Sequence, residues 1–121
     1  VESLKPGGLR ELHWHPNADE WQYYVSGSGR MTVFAASSRA RTMDFQEGDV
    51  GYILKSNPHY IENTGTTDLV FLEIFRSERY EDISLAQWMA HTPELLMNQH
   101  LGVGAAMLES IPKEKAVIDP L

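Results

Sequence analysis

Three histidines and one glutamate have the residue types and the spacing of a metal site. His13 and His15 lie two residues apart in a segment that predicts a strand, so both side chains leave the same face of the sheet. Glu20 follows a short turn, and His59 begins a later predicted strand. Four such ligands suit a divalent transition metal and leave coordination positions open for a substrate. The pattern predicts a catalytic type of metal centre; the histidine pair alone would also fit an ordinary strand.

Two further charged residues, Arg10 and Glu73, could act on a substrate at this metal. Arg10 lies on the strand that leads to His13, and a guanidinium group binds a carboxylate through two hydrogen bonds. Strict alternation from His13 places Arg10 on the opposite face, so a bulge or twist is needed to turn it inward, and a surface or structural arginine is the alternative.

Glu73 stands in an otherwise apolar predicted strand. A carboxylate there must be paired, protonated or close to a metal. A carboxyl group whose pKa is raised by burial would suit a general acid. The alternative is a buried glutamate that bonds Arg10 or a water molecule and holds the site together.

The elements that must position these residues are mainly strands. Short segments rich in aromatic and β-branched residues are separated by glycine, proline, asparagine, serine and aspartate, which indicates an all-β domain. The predicted strands are Leu9–His15, Trp21–Val25, Arg30–Phe34, Arg41–Asp44, Val50–Ile53, His59–Asn63 and Leu69–Phe75.

The composition changes after Phe75, where a charged connector over residues 76–82 precedes a helical tail. Helix start signals are Ser84 with Gln87, as a capping box, and Thr92 before Pro93. The predicted tail helices begin at Ser84 and span Glu94–Leu101, ended by Gly102, and Ala105–Ile111. We therefore predict a β-barrel over residues 1–83 and a helical extension over 84–121 that packs on the barrel or on a neighbouring subunit.

Charge and composition exclude several classes of partner. Ten lysines and arginines against seventeen aspartates and glutamates give a net charge of −7, which argues against nucleic acid. A small dianion would be repelled unless the site carries a metal or an arginine. The absence of cysteine excludes disulfides and thiolate ligands. No apolar run approaches the roughly 18 residues of a membrane span. We expect a soluble protein, with the cytoplasm favoured; the chain opens at Val1, so a removed leader or an upstream domain is possible.

The spacing of the predicted ligands resembles the two signatures of the cupin superfamily. The first comprises Gly7, His13, His15, Glu20 and Gly27, and the second comprises Gly48, His59 and Asn63. Over residues 9–24, 48–52 and 59–65 the sequence is similar to the carboxy-terminal cupin domain of oxalate decarboxylases. The resemblance extends over the whole chain and implies a double-stranded β-helix, or jelly-roll, barrel with a C-terminal helical tail.

The resemblance also implies cofactors and site residues. The family consists of bicupins, with two manganese-binding barrels in tandem that assemble into hexamers, whereas this chain has one barrel. The implied manganese ligands are His13, His15, Glu20 and His59. Arg10 would hold a substrate carboxylate over the metal, Glu73 matches a glutamate proposed as a proton donor, and Tyr80 matches a family tyrosine. Other divalent metals could bind the same ligands.

The implied reaction cleaves oxalate to formate and carbon dioxide, with dioxygen as a cofactor. One carboxylate end of oxalate binds manganese while Arg10 neutralises the other, and one-electron oxidation weakens the carbon–carbon bond. An acid, for which Glu73 is the best candidate, then returns a proton. Without that acid, further oxidation would give a second carbon dioxide and hydrogen peroxide.

Two departures from the family keep alternatives open. Leu54 and Ser56 stand where the second signature usually has proline and glycine. The short Ser-Glu-Asn-Ser-Thr lid of the amino-terminal domain is absent; Glu78 and Glu81 lie at its position, in what we interpret as a surface linker. The chain could be an oxalate decarboxylase or oxidase, a metal-binding half whose helices drive trimer or hexamer assembly, or another cupin enzyme such as a dioxygenase or isomerase. The missing lid favours the second for the isolated chain.

Overall fold

The computed structural model describes residues 1–115 and the backbone of residues 118–120. Eight strands come first in the described chain: β1 Glu2–Leu4, β2 Gly8–Trp14, β3 Glu20–Ser26, β4 Ser28–Ala35, β5 Arg39–Gln46, β6 Val50–Ile53, β7 His59–Asn63 and β8 Leu69–Phe75. The tail follows with β9 Ile83–Ser84, α1 Leu85–Ala90, α2 Glu94–Leu101, α3 Ala105–Ser110 and β10 Ile118–Pro120. The predicted all-β class is confirmed.

Two antiparallel sheets face each other across one core. The first has the order β1-β8-β3-β6 and the second the order β10-β2-β7-β4-β5, with β9 also paired to β2. The side chains buried between them are Leu4, Tyr24, Met31, Phe45, Ile53, Ile61, Leu69 and Phe71. Burying each large apolar side chain of this kind stabilises the fold by about 1.5–3 kcal/mol. The Tyr24 ring stacks on Phe45 with centroids 4.6 Å apart, in the middle of this core.

The strands of four or more residues lie close to their predicted positions. Strands β6, β7 and β8 have the predicted bounds, and β3, β4 and β5 are longer by one or two residues at each end. Strand β2 ends at Trp14, so the prediction that His15 lies in the strand was wrong. The backbone turns away there because Pro16 follows and has no N–H group to donate.

Three short strands were not predicted. Strand β1 pairs with β8, and both β9 and β10 pair with β2. Segments of two or three residues contain too few positions to show an alternating pattern, and only long-range pairing defines them. Strand β10 lies within the segment predicted as helical, whereas residues 116, 117 and 121 of that segment lie outside the described residues.

The turn between β3 and β4 requires glycine. Gly27 has a φ of +89°, a left-handed conformation that glycine adopts without strain. A Cβ atom there would lie 2.5 Å from the carbonyl oxygen of Asp68, which leaves no room for a side chain. The last residue of the first cupin signature therefore allows the β3–β4 turn to pack against the chain leading into β8.

The tail helices begin and end largely at the predicted signals. The Ser84 hydroxyl accepts a hydrogen bond from the Gln87 amide and caps α1, as predicted. Helix α2 has the predicted bounds, Glu94–Leu101, but its start differs from the predicted signal. Pro93, expected at the first helical position, is extended with ψ at 133° and is the cap residue, and the Thr92 hydroxyl donates to the Trp88 carbonyl instead of capping. Gly102, with φ at +66°, ends α2 as predicted.

The predicted third helix was one residue too long. Helix α3 ends at Ser110, and the backbone of Ile111 is extended with ψ at 122°. The next residue is proline, which disfavours the helical conformation in the residue before it. Within the described part of the chain, no helix is long and apolar enough to cross a membrane.

Candidate metal centre

A bulge in β2 turns both Arg10 and His13 toward the barrel interior. In the pairing with β7, Arg10 lies opposite Ile61 and His13 lies opposite His59, so three steps along β2 match two steps along β7. The extra residue reverses the alternation, and side chains on opposite sides of the bulge share one face. Arg10 and His13 are both fully buried. The bulge that the sequence required for an inward Arg10 is present.

The four predicted ligands converge at one end of the barrel. His13 lies near the end of β2 and His15 just after it, while Glu20 and His59 are the first residues of β3 and β7. One potential ligand atom from each lies within 4.8 Å of those from the others. All four side chains are buried, none more than 3% exposed. Residues far apart in the sequence thus form one compact donor set.

Each histidine ring is oriented so that its Nε2 atom faces the centre of the cluster. The Nδ1 atoms of His13, His15 and His59 lie 2.5, 2.9 and 2.9 Å from backbone carbonyl oxygens. A carbonyl can only accept, so the Nδ1 atoms carry the hydrogen and the Nε2 lone pairs are free. The three Nε2 atoms and Oε1 of Glu20 are buried without a hydrogen-bond partner among the described residues. Such unpartnered donor atoms fit a divalent metal.

The electrostatics keep these groups in the form that binds a metal. Burial, with the nearby His59 and Arg10, lowers the pKa of His13 to about 3, so the ring is neutral near pH 7. Burial opposes ionisation of Glu20, but the neighbouring rings of His15 and His59 lower its pKa to about 2. A neutral imidazole and an ionised carboxylate are the protonation states of metal ligands.

A chain of hydrogen bonds along β3 orients Glu20. Gln22 donates from Nε2 to the Glu20 carboxylate, and the Tyr24 hydroxyl donates to Oε1 of Gln22 over 2.7 Å. A Cβ atom on Gly51 of the neighbouring strand would lie 2.9 Å from that Oε1 atom. The roles of Gln22 and Tyr24 were not predicted, although alternation along a strand places Glu20, Gln22 and Tyr24 on one face.

Arg10 has two unused hydrogen-bond donors. Its Nη2 donates to the Tyr80 hydroxyl and to Oδ2 of Asp82, both over 2.9 Å. Its Nε and Nη1 atoms are buried without a hydrogen-bond partner among the described residues, and Glu11 is 3.7 Å from Nη1. The Tyr80 ring lies 5.6 Å from the ring of His15, so the guanidinium group is held beside the four-residue cluster. The role of Asp82 was not predicted.

Glu73 lies on β8 opposite Gln22 and carries a perturbed carboxyl group. Burial and the charge of Glu20 raise its pKa to about 8, although Arg10 opposes the shift. Its Oε1 atom is buried and unpartnered, and no ion pair joins it to Arg10 within the described residues. Glu73 is therefore mostly protonated near pH 7, as a proton donor must be.

The connector over residues 76–82 contributes to the site rather than only linking two segments. Asn17 donates to the Ser77 hydroxyl over 3.0 Å and to the Arg79 carbonyl over 2.9 Å, and the carbonyl of Glu81 accepts from His15. The Glu81 carboxylate pairs with Arg79 at the surface, 40% exposed. The connector acts through its backbone and through Tyr80 and Asp82, and the Glu81 carboxylate pairs with Arg79 rather than with any of the four predicted ligands.

The residue at the usual glycine position of the second signature adopts the conformation that glycine prefers. Ser56 has a φ of +69° and its amide donates to the carbonyl of His15 over 2.8 Å. The side chain of Leu54, at the usual proline position, is exposed. The loop before β7 thus contacts the backbone of His15, one of the four predicted ligands.

Known proteins share this fold and sequence. A family model described as cupin matches residues 1–108. Oxalate decarboxylase OxdC of Bacillus subtilis is 52% identical over 113 residues, or 93% of this chain and 29% of the relative. An oxalate-binding protein of Thermotoga maritima is 37% identical over 71 residues, covering 59% of this chain and 54% of the relative. The chain therefore spans less than a third of the oxalate decarboxylase that it matches.

A solved structure has the same fold as this chain. It is of Bacillus subtilis oxalate decarboxylase, from work on the EPR fine structure of its Mn(II) centres. It superposes with a TM-score of 0.96 at 50% identity, and the match covers 98% of this chain and 32% of that one. The two antiparallel sheets and the helical tail are therefore shared with a manganese enzyme.

Proposed function

This chain belongs to the cupin family, and we propose that it binds one manganese ion and cleaves oxalate to formate and carbon dioxide with dioxygen as cofactor. The proposed ligands are His13, His15, Glu20 and His59. The observation that carries the proposal is a buried set of unpartnered ligand atoms beside a guanidinium group with two free donors. The names of the relatives, oxalate decarboxylase and oxalate-binding protein, support oxalate as the substrate.

Arg10 would bind and orient the substrate. When bound, manganese would offer an open coordination position to one carboxylate of oxalate and, with dioxygen, a one-electron oxidation that weakens the carbon–carbon bond. The buried Nε and Nη1 atoms of Arg10 are the donors that would hold the other carboxylate. A charged hydrogen bond in a buried site is stronger than one in water, so the guanidinium group offsets the acidic field of the protein.

Glu73 would supply the proton that makes formate. Cleavage of the carbon–carbon bond releases carbon dioxide, and the remaining carbon takes up one proton and regains the electron withdrawn in the oxidation, which gives formate. Glu73 holds such a proton at neutral pH because burial and the charge of Glu20 raise its pKa to about 8. The ionised form is disfavoured for the same reasons, so Glu73 would regain a proton from solvent before the next turnover.

We also propose that the chain assembles into a trimer or hexamer through its tail. Large apolar side chains on the helices are exposed to solvent, including Trp88 at 62%, Leu95 at 65% and Leu101 at 60%. Exposed apolar surface of this kind is typical of an interface. This observation also favours the alternative function, an assembly half that binds metal without catalysis. Sedimentation at micromolar concentration tests the assembly, and a monodisperse monomer would contradict it.

The deciding experiment measures formate and hydrogen peroxide from oxalate with manganese-loaded protein, in air and without dioxygen. We expect formate in air, little peroxide, and no formate without dioxygen. His59→Ala should lose both the metal and the activity, whereas His91→Ala, at an exposed tail position, should lose neither. Peroxide in place of formate would indicate an oxidase. Neither product, with one manganese bound per chain, would refute catalysis and favour the assembly half.

A further inference from the structure

Arg10 belongs to a group of two cations and two anions that reaches from the barrel interior to the surface, here called the charge cluster: Arg10, Glu11, Asp82 and Lys115. Lys115 Nζ lies 2.5 Å from Oδ1 of Asp82 and 3.1 Å from Oε1 of Glu11. Arg10 contacts the same two carboxylates, at 2.9 Å from Asp82 and 3.7 Å from Glu11. The carboxylate side chains are 8% and 7% exposed and that of Lys115 is 29% exposed. The four charges of the cluster balance one another, and the Glu2 carboxylate, 3.9 Å from Nε of Arg10, is a further anion beside it.

We propose that Lys115 is a positioning residue that keeps Arg10 available for a substrate carboxylate. Three carboxylates lie within 4 Å of the Arg10 guanidinium group, those of Glu2, Glu11 and Asp82, and Lys115 shares with Arg10 the neutralisation of the last two. The inference rests on the proposed function for the identity of the ligand, oxalate. The new element is that Lys115, which follows the tail helices in the sequence, controls the affinity of the site for oxalate.

Removal of Lys115 would change both the charge and the geometry around Arg10. The cluster would then hold two carboxylates and one cation, and its net negative charge would lie next to the position of an incoming dianion. The carboxylate oxygen that would lose Lys115, Oε1 of Glu11, is 3.7 Å from Nη1 of Arg10. A small rotation of the guanidinium group would join these two atoms, because a buried anion without a partner is costly. Arg10 would thus lose a donor as well as part of its effective charge.

The two carboxylates are fixed in place by other contacts. Oε2 of Glu11 accepts from the Ser84 hydroxyl over 2.9 Å, and that hydroxyl also caps α1. Burial opposes the ionisation of Asp82, but hydrogen bonds from Lys115, Arg10 and Tyr80 lower its pKa to about 2. Asp82 therefore remains an anion, and the tail reaches the cluster at two points, Ser84 and Lys115.

The test compares two variants that lower the net charge by one with two variants that leave it unchanged. Lys115→Met removes the cation and keeps the length of the side chain, Lys115→Arg keeps the cation, and Lys5→Met removes one cation at a distant surface pair. In the double variant Glu11→Gln with Lys115→Met, the cluster is neutral again and glutamine can still accept from Ser84. If Lys115 had a purely structural role, removing the charge of Glu11 as well would not restore oxalate binding.

Two readouts separate this inference from the proposed function. The first is the dissociation constant of oxalate from manganese-loaded protein by calorimetry, with the turnover number and KM measured alongside. The second is the NMR resonance of the Arg10 Nε–H group in metal-free protein, identified by its loss in Arg10→Lys. The second readout needs neither oxalate nor manganese.

We expect Lys115→Met to weaken oxalate binding roughly tenfold, the order expected for one partly buried charge near a charged ligand. KM should rise more than kcat falls, the Arg10 resonance should move, and Lys115→Arg and the double variant should restore both readouts. Lys5→Met should change neither. An unmoved resonance in Lys115→Met would overturn the inference, as would a moved resonance with unchanged oxalate affinity. A moved resonance in a protein that binds no oxalate would refute the proposed function and uphold the control of Arg10 by Lys115.

Discussion

The protonation of Glu73 makes a quantitative prediction about stability and pH. Burial and the charge of Glu20 raise its pKa from 4.5 to about 8 in the folded protein. Between those pH values the folded state binds a proton that the unfolded state has lost, so the free energy of unfolding falls as the pH rises. Replacement of Glu73 by glutamine removes this dependence, because glutamine has the shape of the protonated acid and does not titrate.

The size of the effect follows from the shift in pKa. Each tenfold change in an acid dissociation constant corresponds to about 1.4 kcal/mol. The largest change that Glu73 can cause in the free energy of unfolding between about pH 5 and about pH 8 is therefore about 4 kcal/mol. Glu73 is half-buried, and access of water reduces the effect to about 2 kcal/mol. We therefore expect Glu73→Gln to gain about 2 kcal/mol relative to the unmodified protein as the pH rises across this range.

Urea denaturation of metal-free protein, followed by tryptophan fluorescence, measures this difference. The comparison with Glu73→Gln at each pH is necessary because His13 and Glu20 titrate as well, and their contributions cancel in the difference. Glu47→Gln, at an exposed turn, is the matched control. A difference between Glu73→Gln and the unmodified protein that stays constant with pH would show that Glu73 is ionised when folded, and it would remove the proposed proton donor.

Three substitutions test other contacts in the structure. Gln22→Leu should weaken manganese binding roughly tenfold in a competitive chelator titration, because Glu20 loses its orienting hydrogen bond; unchanged affinity would contradict that role. Ser56→Gly should raise the free energy of unfolding by about 0.5–1 kcal/mol, because glycine adopts the left-handed conformation without strain. Gly27→Ala should lower the free energy of unfolding by at least about 2 kcal/mol, because the added Cβ lies 2.5 Å from a carbonyl oxygen. The control is Gly104→Ala, which has open space around the added Cβ. Equal effects of the two substitutions in thermal unfolding would refute the steric argument.

The sequence predicted the residues whose roles depend on local spacing. Strand alternation predicted that His13 and His15 share a face, and the two side chains do converge, although His15 lies just beyond the end of β2. The predicted bounds of β7 place His59 at its start. The inward orientation of Arg10 could be stated only as a requirement, because a bulge depends on the register between β2 and β7. Register is set by the pairing of distant strands, which no single segment encodes.

The residues that support Arg10 could not be found in this way. Asp82 is 72 positions from Arg10 in the sequence, and Lys115 lies in a short polar stretch without periodicity. A charged residue in such a stretch is usually solvated, and only the fold shows that Lys115 reaches two buried carboxylates. The sequence was thus informative about the groups that would face the metal, but much less so about those behind them.

The pairing of β2 has a consequence for the order of folding. One edge of this strand pairs with β7, and the other edge pairs with β9 and β10, at residues 83–84 and 118–120. Contacts between such distant parts of a chain form slowly, because a long loop must close before they stabilise anything. An emerging chain would therefore expose the free edge of β2, with His13 on it, until the tail has been synthesised. Unpaired edges of this kind associate with other chains, so folding intermediates of this protein should be prone to aggregation before the tail docks.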